Sequence, residues 1–287
     1  MFLNRKIIRL GLLCLFCTAV FSAGAQEALQ ENPKDPLRDS VLNLPTSRYL
    51  TLGLGARTIQ LNDEHMSLLN YNGGAINLQL GAYKRKKRTI RNLTVDAAYT
   101  NLGPRDDNRE IDPMGAYIRL DLAYAQQHYI KSFWKNTTRW YVGGKLKSHS
   151  NIRLNPQLDG GFITFVFANG LFLSSVLERE VKISGRPLTL GWQLDLPVIN
   201  HTIRPDYLNI YDFVNPENNW VEERVEDSKW RGIGGYTNVT STLSLLYPLS
   251  STNVLRLSYE WDFYHISSEL KATSATHTYT FSFLFHF

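Results

Sequence analysis

The chain ends on the stretch YTFSFLFHF, residues 279 to 287, and this stretch decides the fold. An aromatic side chain stands at every second position, namely at Tyr279, Phe281, Phe283, Phe285 and Phe287. Successive side chains of a β-strand point to opposite faces, so the spacing predicts a terminal strand with one wholly aromatic face. A face of this kind is expected to lie against an apolar environment.

This ending resembles the C-terminal strand of bacterial outer-membrane β-barrels. The resemblance implies that the five aromatic residues act as an insertion signal, which the barrel-assembly machinery reads, and that they afterwards face lipid. It also implies a location in the outer membrane of a Gram-negative bacterium, with outer-membrane lipid and lipopolysaccharide as neighbours. A second stretch, from Trp192 to Pro205, is similar to small barrels of Bacteroidota.

The N-terminus has the pattern of an export signal. Arg5, Lys6 and Arg9 accompany an apolar segment over 7–21, which is followed by small residues. This arrangement predicts a signal peptide over residues 1–25. The chain is therefore expected to leave the cytoplasm.

The remaining chain divides into a short lead-in and one domain. Residues 26–47 are polar and proline-containing, and they predict an irregular periplasmic segment. Residues 48–287 form the predicted barrel domain. Both cysteines, Cys14 and Cys17, lie in the signal peptide, so no disulfide or thiolate metal site is expected. The histidines have no metal-ligand spacing, and no cofactor is predicted.

Hydropathy and charge restrict the class further. After the signal peptide no segment reaches the roughly 18 apolar residues of a spanning helix, which leaves a closed barrel as the way to cross a bilayer. The aromatic content of 12% suits a barrel with aromatic girdles. The formal net charge of +5 includes three basic residues of the signal peptide, so the rest is nearly balanced and nucleic acid is not an expected partner.

A two-residue period runs through the barrel domain and predicts an all-β, transmembrane antiparallel barrel of about ten strands. The segment 161–168 could be a strand, a short helix or a plug, and counting it as a strand would require twelve. The ten predicted strands cover 48–59, 73–85, 90–102, 114–128, 138–152, 169–182, 186–199, 235–247, 253–267 and 275–287.

The connections between these strands alternate in length. Outer-membrane barrels have short periplasmic turns and longer external loops. If the first strand runs outward, the external connections are 60–72, 103–113, 153–168, 200–234 and 268–274. The others are mostly shorter, and the even strand number places both ends of the barrel domain in the periplasm.

Each strand has an apolar and a polar face. A soluble barrel would turn the apolar face inward, but ten strands would then enclose a space too large for these side chains to fill. The membrane interpretation puts the polar face inside. It predicts a lumen lined by Arg57, Asp96, Arg119, Asp121, Lys145, Lys147, Glu178, Asp195, Arg256, Glu260 and Asp262.

Charges of both signs in a lumen have two interpretations. They can form a buried salt-bridge network that braces a narrow barrel, or they can line a polar conduit for solutes. Near-balance of the two signs favours the network, because a selective pore usually has an excess of one sign. The protein is predicted to be a porin-like small-solute pore or a structural and recognition barrel.

The long connection over 200–234 is the predicted recognition loop. Its aromatic residues stand among acidic ones, so they could bind sugars or an external partner, whose identity the sequence leaves unknown, or fold over the barrel mouth as a cap. These aromatic residues are Tyr207, Tyr211, Phe213, Trp220 and Trp230.

An enzymatic alternative depends on His265 and Ser267. Two positions apart in a strand, they share a face that is predicted to be the lipid side. This pair resembles the histidine and serine of outer-membrane phospholipases and lipid A deacylases, which implies a lipid-directed acyl hydrolase. The sequence differs from that family in having Ser268 and Glu269 where Asn and Gly are expected, and no orienting third residue is evident. A girdle histidine is the competing interpretation.

A basic run covers Lys84 to Arg88 in the first predicted periplasmic turn. Basic clusters can bind nucleic acid, but an exported barrel meets none. The run is therefore predicted to be a solvated turn.

Overall fold

The fold is taken from a computed structural model of the chain, and the predicted signal peptide and most of the lead-in lie outside the residues that it describes. The described residues are 47–64, 67–86, 88–104, 115–134, 137–155, 163–183, 186–204, 228–232, 234–249, 252–268 and 270–287.

All regular structure within these ranges is β-strand. None of the described residues forms a helix long and apolar enough to cross a bilayer. The strands are β1 (Ser47–Asp63), β2 (Ser67–Lys86), β3 (Thr89–Pro104), β4 (Gly115–Phe133), β5 (Thr138–Leu154), β6 (Ile163–Ile183), β7 (Arg186–Ile203), β8 (Ser228–Arg231), β9 (Tyr236–Pro248), β10 (Val254–Ile266) and β11 (Ala272–His286).

Ten of the described strands close into one antiparallel barrel. Neighbours in sequence pair around the ring, β7 pairs with β9, and β1 pairs with β11 to close it. The short strand β8 stands outside this ring and extends the sheet beside the last residues of β7. The ten-strand prediction is therefore confirmed. The twelve-strand alternative counted 161–168 as an additional strand, and it is wrong because the described part of that segment belongs to β6 and β8 does not enter the ring.

The seam between β1 and β11 is long and regular. Tyr49 lies opposite His286 at one end and Asp63 lies opposite Ala272 at the other. We call the end that holds Ser47 and His286 the terminal end, and the opposite end the loop end. The aromatic terminal strand thus has its backbone groups paired on both sides, by β1 and by β10.

The outer face of the barrel is an apolar belt. Along β1 the outward side chains are Leu50, Leu52 and Leu54, each more than half exposed, and on β11 Tyr279 and Phe281 are as exposed as these leucines. Such a face would be unstable in water over this extent, whereas hydrocarbon accommodates it. The chain is a transmembrane antiparallel β-barrel.

Strands extend further toward the loop end than the sequence predicted. The expected first external loop over 60–72 is mostly strand, and its connection is reduced to 64–66. The segment 161–168, for which the sequence allows a strand, a short helix or a plug, supplies the first residues of β6 from Ile163 onward. Asn169 and Gly170 do not interrupt β6, because Asn169 faces outward and the space beside Gly170 is filled by the Asn200 side chain of β7.

The interior of the loop half is packed and partly apolar. One buried cluster joins β1 to β4 through Ile59, Leu61, Tyr71 and Tyr117. A second cluster includes Val166, Ala168, Tyr236, Tyr264, Ile266 and Ala272. The predicted lumen lining named only charged residues and so omitted these apolar ones. Of the residues named from the two clusters, predicted loops contained Leu61, Tyr71, Val166, Ala168 and Ala272, whereas predicted strands contained Ile59, Tyr117, Tyr236, Tyr264 and Ile266.

The seam depends on the absence of a side chain at Gly55. A Cβ atom there would overlap the backbone carbonyl oxygen of Tyr279 on β11. We expect Gly55→Ala to lower the free energy of unfolding by about 1–3 kcal/mol, the usual range for overpacking. Urea titration of the refolded protein in lipid vesicles measures this. Gly74→Ala is the matched control, since a Cβ atom at Gly74 meets nothing within 4 Å, and equal unfolding of both variants would contradict the prediction.

Candidate functional site: the barrel lumen

The structure places the eleven charged residues named for the lumen on the inward faces of their strands, and it joins most of them in a network. Several are almost completely enclosed, including Arg57, Arg119, Asp195 and Asp262, each at most 2% exposed. Charges removed from water must be compensated by partners. The partners of these groups therefore define what the lumen can do.

A contact between Arg119 and Asp262 spans the middle of the barrel. Arg119 Nη2 donates to Asp262 Oδ2 at 2.5 Å, and both residues are 1% exposed. Arg119 stands on β4 and Asp262 on β10, which are five strands apart in either direction around the ten-strand ring. The pair thus connects opposite walls and occupies the cross-section between them.

The Asp262 carboxylate collects several further donors. Lys147 Nζ lies 3.0 Å from its Oδ1, Asn238 Nδ2 lies 3.0 Å from the same oxygen, and the Thr240 hydroxyl lies 2.8 Å away. Two cations and two neutral donors therefore satisfy this one carboxylate. Such saturation keeps a buried carboxylate ionised and fixes the side chains around it.

Asp121 is the second acidic centre of this layer. It accepts from Arg119 Nε at 2.7 Å and contacts His149 Nδ1 at 2.5 Å. Arg57 Nη1 lies 3.7 Å away, while Arg57 Nε donates to the Thr278 hydroxyl. We call the residues Arg57, Arg119, Asp121, Lys147, His149 and Asp262 the central charge layer.

A further network closes the loop end. The carboxylate of Asp63 contacts both Arg153 and Arg204, with Arg204 Nη2 at 2.6 Å. Arg153 also donates to the side chain of Asn151, which in turn donates to the Tyr264 hydroxyl. These residues tie β1 to β5, β7 and β10 above the central charge layer.

The loop-end network was not predicted, and strand boundaries are the reason. Asp63, Arg153 and Arg204 fell within the predicted external connections, where no inward face is assigned. The signal was present, because Arg153 continues the odd-numbered inward face of Lys147 and His149. Strand lengths, rather than residue types, limited the prediction.

The terminal half of the lumen contains a cavity of about 130 Å³. Its charged lining includes Asp96, Lys145, Arg256 and Glu260. Lys145 Nζ is paired with Asp195 at 2.7 Å, and Asp96 accepts from Gln79 at 3.0 Å. Arg256 donates to the same Gln79 at 2.7 Å. The lumen is thus partly hollow on the terminal side of the central charge layer.

A further ion pair narrows the terminal end. Arg85 on β2 pairs with Glu178 on β6 across the lumen, close to Tyr83 and Tyr141. The prediction that Lys84 to Arg88 form a solvated turn is therefore wrong for Arg85, whose odd position in β2 turns its side chain inward. Arg88 is exposed, as a turn residue would be.

The enzymatic candidates are not brought together. His265 lies on the outer face of β10 and contacts the Thr273 hydroxyl at 2.9 Å. Ser267 follows the strand, and its backbone bonds to Gly235 and Arg231. These two described residues share no hydrogen bond, and a nucleophile needs its base within such reach.

The recognition loop lies mostly outside the described residues, as do Tyr207, Tyr211, Phe213 and Trp220. Trp230 is described: it stands on β8, is 72% exposed, and has its ring centroid 4.9 Å from that of His201. An exposed tryptophan at this position is suited to contact with lipid or with an external partner. Across the described part of the chain no group of three or more acidic, histidine or cysteine residues is arranged to hold a metal ion.

Comparisons with known proteins show only remote likeness to solved structures. No protein-family model matches the sequence, and no curated protein matches it significantly. The translocator domain of the autotransporter NalP from Neisseria meningitidis is similar at 8% identity and a TM-score of 0.38, over 88% of this chain and 92% of that one. A deltaS2 mutant of the TodX monoaromatic hydrocarbon channel is similar at 8% identity and a TM-score of 0.31, over 88% and 93%. OpdO of Pseudomonas aeruginosa is similar at 8% identity and a TM-score of 0.17, over 83% and 97%. Likeness at this level carries nothing about function.

The central charge layer predicts a large stability effect at Arg119. Arg119→Met would leave two buried carboxylates short of a cation, so we expect the free energy of unfolding to fall by about 3–5 kcal/mol. Urea unfolding in lipid vesicles, followed by tryptophan fluorescence, measures the change. Lys271→Met is the control, because that exposed side chain should contribute less than about 0.5 kcal/mol. Unfolding of Arg119→Met at the wild-type urea concentration would contradict the assigned network.

Proposed function

We propose that the protein is an outer-membrane β-barrel of a Gram-negative bacterium with a structural and recognition role, in which the lumen is closed and braced by its own side chains. The carrying observation is the Arg119 to Asp262 contact across the full width of the ring, with both partners excluded from solvent. Buried apolar clusters fill the loop half beside it. An open solute pore would need a water-filled path where these side chains lie.

Rigidity is the physical benefit of such a lumen. A narrow barrel with ion pairs at three heights resists deformation, because moving one wall would expose buried charges without partners. The loop end then becomes a fixed platform for the long connections between β3 and β4 and between β7 and β9. Recognition surfaces are commonly loops held by a rigid scaffold.

Conductance tests the closed lumen directly. Wild-type protein refolded into planar bilayers is expected to produce no discrete current steps, since the central charge layer leaves no continuous water path. Insertion is verified in parallel by protection of the strands from added protease. Discrete, reproducible steps from the inserted wild-type protein would contradict the closed barrel and favour the small-solute pore.

Two partners belong to the same proposal. Membrane lipid, with lipopolysaccharide in the outer leaflet, surrounds the apolar belt, and the barrel-assembly machinery recognises the aromatic face of β11. On that face Phe281, Phe285 and Phe287 are exposed on the outside of the barrel.

Recognition of β11 can be separated from folding. Phe287→Ala is expected to reduce the amount of assembled barrel in cells severalfold, while spontaneous refolding into vesicles remains close to wild type. Leu68→Ala, another exposed outward side chain, is the control. If Phe287→Ala reduced assembly in cells and refolding into vesicles equally, or changed neither, a recognition role for the terminal phenylalanine would be contradicted.

A further inference from the structure

Four basic side chains form a compact group on the outer face at the terminal end. They are Arg48 on β1, Lys84 and Lys86 on β2, and Arg91 on β3. The strand register places Lys84 directly opposite Arg48 on one side and opposite Arg91 on the other. We call these four residues the basic cluster.

No acidic side chain among the described residues forms a salt bridge with the basic cluster. The cross-strand neighbour of Arg91 on β4 is the neutral Gln126. Like charges directly opposite each other in a sheet destabilise it. Three adjacent strands therefore carry cations that repel each other at this site, and an anion would relieve this repulsion.

The position of the basic cluster indicates which anion is available. The outward residues beyond it along the same three strands include Leu50 and Leu93, which flank Ala82, and then Leu80 of the apolar belt, and these three leucines are exposed. Residues at the edge of such a belt stand at the level of the lipid headgroups. Basic clusters at this level attract anionic headgroups, and each basic residue raises the binding affinity about fivefold.

The cluster also has an aromatic border that suits a headgroup site. The backbone N–H of Phe287 donates to the carbonyl oxygen of Arg48 at 3.1 Å, so the terminal phenylalanine lies beside the cluster. Its side chain is 63% exposed. Aromatic rings at a membrane interface place an apolar surface against the acyl chains just below the phosphate.

We propose that the basic cluster binds the phosphate of an anionic phospholipid in the inner leaflet of the outer membrane. The proposal rests on the function proposed above, because the terminal end meets the inner leaflet only if the loop end faces outward. Arg48 and Arg91 would bind the phosphate from the two sides, and Lys84 between them would supply the central charge. A zwitterionic phospholipid should bind the basic cluster more weakly, since its own cationic group competes for the same phosphate.

Lipid selectivity measures this directly. The full mature chain is reconstituted in phosphatidylcholine vesicles that contain a trace of spin-labelled phosphatidylglycerol or spin-labelled phosphatidylcholine. Electron paramagnetic resonance then gives the motionally restricted fraction of each label. We expect wild-type protein to select phosphatidylglycerol by about fivefold or more at 0.01 M salt, and to lose the preference at 1 M salt, where the screening length falls to about 3 Å.

Variants locate the selectivity. Lys84→Gln alone should reduce the selectivity for phosphatidylglycerol over phosphatidylcholine about fivefold, down to a limit of no preference. Selectivity should be absent from the variant that combines Arg48→Gln, Lys84→Gln, Lys86→Gln and Arg91→Gln. Lys229→Gln with Lys271→Gln removes exposed charge from the loop end and should leave selectivity unchanged.

The outcomes separate the two proposals. A protein that does not insert into vesicles would overturn the membrane function and this site with it. An inserted wild-type protein without preference for phosphatidylglycerol would overturn the site alone. An equal preference in wild type and in the Lys84→Gln variant would also overturn it.

Discussion

Backbone hydrogen bonding inside hydrocarbon is the constraint on which the rest of this structure depends. A bilayer core offers no partner to a free N–H or carbonyl group, so a sheet can cross it only when no edge remains. Here the requirement is met at the β1 to β11 seam, where fifteen consecutive pairs run from Tyr49 with His286 to Asp63 with Ala272. Gly55 lets the two backbones approach closely within this seam.

The content of the lumen follows from this closure. Alternation gives the outer face to leucine and aromatic residues, and the inner face receives the polar side chains of the same strands. A ten-strand ring is narrow enough for those side chains to reach each other, and Arg119 contacts Asp262 on the opposite wall. Buried charges then require partners, and the network that supplies them also blocks the passage.

The strand pattern could be predicted from sequence because period-two alternation depends on local geometry alone. The run from Ile118 to Leu122 on β4 shows this, since apolar and charged residues alternate without a break. Strand ends were less predictable. Asp63 and Arg204 looked like loop residues, yet they meet near Arg153 at the loop end. Polar and glycine residues at these ends resemble turn signals, and only pairing with a neighbouring strand extends the sheet through them.

Contacts across the lumen could not be predicted, for a different reason. Alternation identifies which residues share a face, but it does not say which strand stands opposite. Arg85 illustrates the point: within a basic run it looks solvated, and its pairing with Glu178 depends on β2 and β6 facing each other in the closed ring. The same run supplies Lys84 and Lys86 to the outer face, so one short segment contributes to two environments.

A cross-link at the seam tests the closed cylinder most directly. The protein is prepared without the predicted signal peptide, and thus without native cysteines, as the double variant Leu54→Cys and Phe281→Cys. These positions are direct partners in the register, and paired strand residues lie within disulfide range. A disulfide should form on oxidation of the refolded barrel, and it should be absent from the variant Leu54→Cys with Phe285→Cys, four residues out of register. Failure of the first pair to cross-link, or equal cross-linking of both pairs, would contradict a barrel closed by β1 and β11.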